Sequence, residues 1–169
     1  MSDAYAFLLE QEKAKEHAGL LAKAVRSGDA KKVLNMIELD KDATRIFSGS
    51  GAYPSLQKVS DALLRECDLY PGASREENYL TDRYTPEERV RIFYALVDAV
   101  KAQQGDPRKM LSHDAKINLC LWGRAEMVEP FLSLGVRFSG NDYVRAANPF
   151  HRPHATRKLL ETLYPVTGN

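Results

Sequence analysis

Apolar residues recur along the 169 positions of this chain at steps of three, four and seven, and no stretch alternates strictly enough to be a half-buried strand. The pattern predicts an all-α fold. Over residues 3–26, Phe7, Ala14, Ala18, Leu21 and Val25 fall on one stripe. Gly28 then offers a left-handed helix stop, and Asp29 an N-cap for a second helix that buries Val33, Met36 and Ile37, so residues 19–38 form a helix hairpin. A long loop follows at 40–54, where Gly49, Gly51 and Pro54 break every period. Leu56, Val59, Leu63 and Cys67 mark a third helix over 55–67, and residues 68–84, with Pro71-Gly72 and many charges, form a second long loop. Thr85, Pro86 and Glu88 have the spacing of a capping box with proline at the first helical position. Behind them Val90, Phe93, Val97 and Val100 make the buried face of a helix that ends near Gln104 and Gly105. Shorter helices at 112–121, 125–134, 141–147 and 153–163, divided by Gly123, Gly135 and Asn148-Pro149, bring the expected count to about eight. No shift in composition separates them, which predicts a single domain over residues 1–169.

Composition narrows the setting. An apolar content of 44% is enough to close a core. The apolar runs fall far short of the roughly 20 residues that cross a bilayer. The opening MSDAYAFLLEQEKAKEH has neither a basic n-region nor a sustained apolar h-region. Cys67 and Cys120 lie 53 residues apart without a CxxC partner, as expected of reduced thiols buried as small hydrophobes. These features together predict a cytoplasmic protein that does not engage a membrane. The formal net charge of +1 hides an asymmetry. Residues 1–88 carry 12 Lys and Arg against 16 Asp and Glu, or −4, and residues 89–169 carry 12 against 7, or +5. Such a field orients a partner more than it shapes a fold.

One frame repeats. The segment Leu21 to Asp29, followed by Val33 and Met36-Ile37, returns as Leu119-Cys120, Gly123, Val128, Phe131-Leu132 and Gly135-Val136, with Val five after the glycine and an apolar pair three further. A third, looser copy has Tyr143, Ala146-Ala147 and Leu159-Leu160. The frame resembles the second half of an ankyrin repeat, closely over 19–39 and 116–138 and loosely over 140–164, although no Thr-Pro-Leu-His opening is present. The resemblance implies stacked helix hairpins in a solenoid, and a protein that works as an adaptor or inhibitor. A different helical-repeat stack and an ordinary α-helical bundle are the alternatives.

Candidate chemistry is sparse. His113 and Cys120 are seven residues apart on one helix, about 10 Å along its axis, too far for proton transfer. His151 and His154 flank Pro153 without further ligands nearby, and Ser48-Gly49-Ser50-Gly51 lacks both the lysine and the preceding strand of a phosphate loop. No catalytic residue, cofactor or metal is therefore expected. Binding is better represented. Tyr70, Tyr79 and Tyr84 lie among Glu76, Glu77 and Asp82, an aromatic and acidic contact loop. Tyr143, Arg145, His151, Arg152, His154 and Arg157 form a basic segment with aromatic residues interleaved, which suits an acidic protein surface and, as an alternative, single-stranded nucleic acid. The expectation is a non-catalytic module that binds another protein, compact enough for a stand-alone inhibitor, immunity factor or effector of bacterial or phage type. An enzyme whose site assembles from scattered residues is the remaining alternative.

Overall fold

The computed structural model describes residues 3–47, 53–64, 84–113, 115–116, 119 and 125–138. All regular structure among them is helical: five α-helices and two 3-10 helices, against the eight helices expected. The α-helices are α1 (Asp3–Ser27), α2 (Ala30–Leu39), α3 (Pro54–Leu64), α4 (Pro86–Ala102) and α5 (Val128–Ser133). The expected helices at 141–147 and 153–163 lie outside the described residues. The chain divides into two compact units, Met1–Leu63 with Arg83–Ser112, which holds α1, α2, α4 and all of α3 but its last residue, and Leu64–Asp82 with His113–Asn169, which holds α5.

In the first unit, the hairpin turn follows from three short-range devices. Ser27 Oγ donates to the Ala24 carbonyl at 2.6 Å, Gly28 takes φ 82°, and the Asp29 side chain accepts from the Lys32 amide at 3.1 Å. Helix α1 buries Ala14, Ala18, Leu21 and Val25 as its stripe requires, together with Ala22 and Ala24. Phe7 departs from the expected stripe and is 45% exposed. The reason is length: 25 residues of α1 span about 37 Å, whereas the 10 residues of α2 span about 15 Å, so the antiparallel partner runs out before the N-terminal turns of α1 are reached. The segment expected over 3–26 is one continuous helix that ends at Ser27.

Helix α4 begins with the capping box: Glu88 N–H donates to Thr85 Oγ1 at 3.1 Å, and Thr85 N–H donates to Glu88 Oε1 at 2.9 Å. Its core face is broader than the four positions expected, with Ile92, Phe93, Leu96, Val97 and Val100 buried and Val90 only partly so. The helix ends in a Schellman motif. Gln104, at φ 62°, donates its N–H to the Lys101 carbonyl, and Gly105 donates to that of Val100 at 3.0 Å. Beyond it a 3-10 helix over Pro107–Met110, unmarked by any hydrophobic period, leans on the start of α3. Tyr53 N–H donates to the Lys109 carbonyl at 3.1 Å, and Gln57 Nε2 donates to those of Lys109 and Leu111 at 3.2 and 3.3 Å.

In the second unit, the helix expected over 125–134 divides into a 3-10 helix at Ala125–Met127 and the six-residue α5. Pro130 accounts for the change. It has no N–H to reach the Glu126 carbonyl, so an α-helical ladder begins no earlier than Val128, which puts Pro130 in the first turn where its missing donor is harmless. Gly135, at φ 90°, closes α5 with a second Schellman motif. Met127, Val128, Phe131, Leu119, Ala115 and Phe138 are buried.

Candidate binding surface on the first helix

The loop after α2 lies along α1 as a strap. Asp40, the C-cap of α2, accepts at Oδ2 from His17 Nδ1 at 2.6 Å. Asp42 meets Lys13 at 3.4 Å, Arg45 meets Glu10 at 3.1 Å, and the Phe47 ring packs edge-on against Phe7 with centroids 5.4 Å apart. The partners on α1 step back through 17, 13, 10 and 7, a helical ridge, as the strap advances through 40, 42, 45 and 47. Burial would by itself raise the Asp40 carboxyl. The hydrogen bond and charge of His17, with the backbone N–H groups of Asp42 and Ala43, outweigh it and hold the carboxyl below its usual range. This part of the clasp therefore persists above the ordinary carboxylate pKa and is lost only as pH falls through the lowered value.

His17, Asp40 and Asp42 are the one group among the described residues whose side chains converge as metal ligands do, with donor atoms within 4.8 Å of one another. Lys13 of α1 and Arg45 of the strap, the latter at 3.5 Å, both face Asp42, so its charge is matched where strap and helix meet. The strap's far end is held by α4, where Gln103 Nε2 donates to the Thr44 carbonyl at 2.7 Å and Gln103 Oε1 accepts from the Ile46 amide at 3.0 Å. Strap, α1 and the start of α3 enclose a groove of about 440 Å³ lined by Gln11, Glu12, Ala14, Lys15, Arg45, Ile46, Phe47 and Tyr53 to Leu56.

Opposite the core stripe, α1 presents a second face. Tyr5, Leu8, Leu9, Glu12, Glu16, Gly19, Leu20 and Lys23 recur at steps of three and four and are all exposed. Six large hydrophobic side chains are exposed among the described residues, and five of them are on α1: Tyr5, Phe7, Leu8, Leu9 and Leu20. Leu8 and Leu9 are 58% and 50% exposed and neighbour each other about one turn before Glu12, which lines the groove, rather than being scattered. Gly19 adds a second oddity. Glycine inside a helix costs about 1 kcal/mol relative to alanine, yet a Cβ at this position would meet nothing within 4 Å. Gly19→Ala is accordingly expected to stabilise the fold by about 0.5–1 kcal/mol, measured as a rise in the urea midpoint at unchanged slope.

The residues singled out from the sequence lie elsewhere. Tyr70, Glu76, Glu77, Tyr79, Asp82, Tyr143, Arg145, His151, Arg152, His154 and Arg157 are outside the described residues. Tyr84, expected on an exposed contact loop, is instead buried, and its hydroxyl donates to the Val25 carbonyl at 2.6 Å, closing the end of α1. The outer face of α1 had a signal in the sequence: Tyr5, Leu8, Leu9 and Leu20 hold a helical register of their own, hidden beneath the core stripe because both run along one helix. No helix among the described residues is long and apolar enough to cross a membrane. No protein-family model matches the chain, and neither does a curated protein or a solved structure.

Proposed function

We propose that this chain is a non-catalytic module that binds another protein, and that the outer face of α1 is its contact surface. The observation that carries the reading is that four exposed large hydrophobic side chains, Tyr5, Leu8, Leu9 and Leu20, share that one face, on a helix that also lines a groove with a mixed-charge rim. Monomeric proteins scatter such residues singly, and contiguous patches mark interaction sites. The first two turns of α1, residues 3–10, are exposed throughout, while the strap fixes the helix from Phe7 to His17. A rigid helix carrying exposed anchors loses little conformational entropy on binding, which favours affinity. The ankyrin-like frame at Gly28 and Gly123 points the same way, toward an adaptor or inhibitor scaffold, and a stand-alone inhibitor or effector is the form that best suits so small a chain.

The double variant Leu8→Asp with Leu9→Asp tests the surface directly. Both positions are half-exposed, so the fold is expected to change by no more than about 0.5 kcal/mol per site. Quantitative affinity capture from native lysate is expected to show a stoichiometric protein held by the wild type and reduced at least tenfold with the double variant. Equal recovery by both would overturn the assignment to α1.

A further inference from the structure

We infer that the occupant of the α1 outer face is an amphipathic helix of a partner protein, carrying two basic side chains about one turn apart opposite Glu12 and Glu16, with apolar side chains on both sides of them. The inference rests on the protein-binding reading and specifies the partner's chemistry. Its first ground is charge. Along the face, Leu8 and Leu9 lie toward one end, Leu20 toward the other, and Glu12 and Glu16 between them, one turn apart and both exposed. Among the described residues neither carboxylate enters an ion pair, whereas Glu10, Lys13 and Arg45 are engaged by the strap. An apolar patch interrupted by two like charges is completed by a surface with the opposite charges at the same spacing.

The second ground is Gly19. A helix-interior glycine that no neighbour among the described residues requires leaves a notch on the outer face, next to Leu20. A notch of this kind lets two helix backbones approach closely, and it has no comparable use against a flat or irregular surface. A second copy of this chain is a poor occupant. In an antiparallel pairing centred between Glu12 and Glu16 these residues face each other across the axis, and in a parallel pairing each faces itself, so carboxylate opposes carboxylate either way. An anionic membrane is disfavoured by the same two charges.

Selection from a library of displayed helical peptides of about 18 residues, carried out in parallel on the full chain and on its L8D/L9D variant, tests the proposal. Peptides enriched on the wild type alone are expected to carry Lys or Arg pairs three or four apart between apolar residues. The charge-reversed chain Glu12→Lys with Glu16→Lys is expected to select Asp or Glu pairs instead, each chain preferring its own peptides by at least tenfold. Gly19→Ala is expected to weaken binding of the selected basic peptide by at least threefold while raising the thermal midpoint. Enriched peptides with neutral or acidic centres, the same peptides on both charge forms, or unchanged affinity with Gly19→Ala would overturn the basic-helix proposal while leaving protein binding intact. Self-association through Leu8 and Leu9 in sedimentation equilibrium, or attachment to phosphatidylserine vesicles, would also overturn it. Absence of any enrichment over L8D/L9D would instead remove the protein-binding reading itself.

Discussion

Gly105→Ala is expected to destabilise the protein by about 2–3 kcal/mol, the upper range for forcing an extra methyl group into a packed site. The added Cβ would overlap Ile46 Cδ1 and sit 2.9 Å from Val100 Cγ1 and 3.0 Å from the Tyr53 hydroxyl. None of the three can withdraw without consequence. Ile46 belongs to the strap segment whose amide is held by Gln103, Val100 is wholly buried, and the Tyr53 hydroxyl accepts from the Asp106 amide at 3.2 Å. The glycine is thus a point of closest approach where the end of α4, the strap and the start of α3 converge. A loss of this size corresponds to a midpoint lower by about 5–10 °C in thermal unfolding. The same substitution at Gly19, where the space around the Cβ is open, is expected to have the opposite sign. Two Gly→Ala variants of one chain, moving in opposite directions, separate the steric role of Gly105 from any general effect of glycine on the unfolded state. Equal shifts at both positions would refute the close-packing account. Because Gly105 also backs Ile46 and Tyr53, which line the groove, the variant is expected to loosen the wall beside the α1 contact surface.

The parts of this fold legible in the sequence are those decided within a few residues. Gly28 with Asp29, and Thr85 with Pro86 and Glu88, each place a φ preference or a side-chain acceptor beside the orphan backbone groups of a helix end, and the hairpin and capping box follow without tertiary help. The stripe Ala14, Ala18, Leu21 and Val25 was equally plain, since periodicity alone assigns it to a core. Phe7 was not, because its exposure depends on how far the neighbouring helix extends, a property of α2 and not of α1. The strap residues looked like loop residues for a similar reason. Asp40, Asp42, Arg45 and Phe47 acquire their roles from partners 23 to 40 positions away on α1. The 3-10 helix at Pro107–Met110 has too few residues to show a period, and its contacts are made through backbone carbonyls, which any residue supplies. Of the candidate surface, the outer apolar positions of α1 were in view, but assigning each helix a single face hid them. A helix of 25 residues has room for two.

Tyr84→Phe is expected to cost about 1–3 kcal/mol near neutral pH and to change the alkaline stability of the protein. The hydroxyl donates to the Val25 carbonyl in the last turn of α1, 59 residues earlier, and replacing it with hydrogen removes the shorter of that carbonyl's two hydrogen bonds, leaving the 3.3 Å one from the Gly28 N–H. The alkaline effect follows from the ionisation of the same hydroxyl. Burial pushes it up from 10.0 to about 12, the carboxylates of Asp29 and Glu88 push in the same direction, and the Gly28 N–H and Arg89 act against them. Tyr84 is neutral when protonated and its pKa is raised in the folded state, so its contribution is fully present below pH 10 and is lost as pH rises toward 12. The wild type is therefore expected to lose about 2 kcal/mol more than Tyr84→Phe over that interval, since one pKa unit is worth about 1.4 kcal/mol and partial solvation trims the full figure. Urea unfolding of both proteins at pH 8, 10 and 11.5 measures the difference directly, with the ionisation of other side chains common to both. The two stability curves converge at high pH if the hydroxyl is held at the end of α1 as described. Parallel curves would mean that Tyr84 ionises as freely in the folded chain as in the unfolded one, and that its contact with Val25 contributes nothing to closing the helix from which the candidate surface projects.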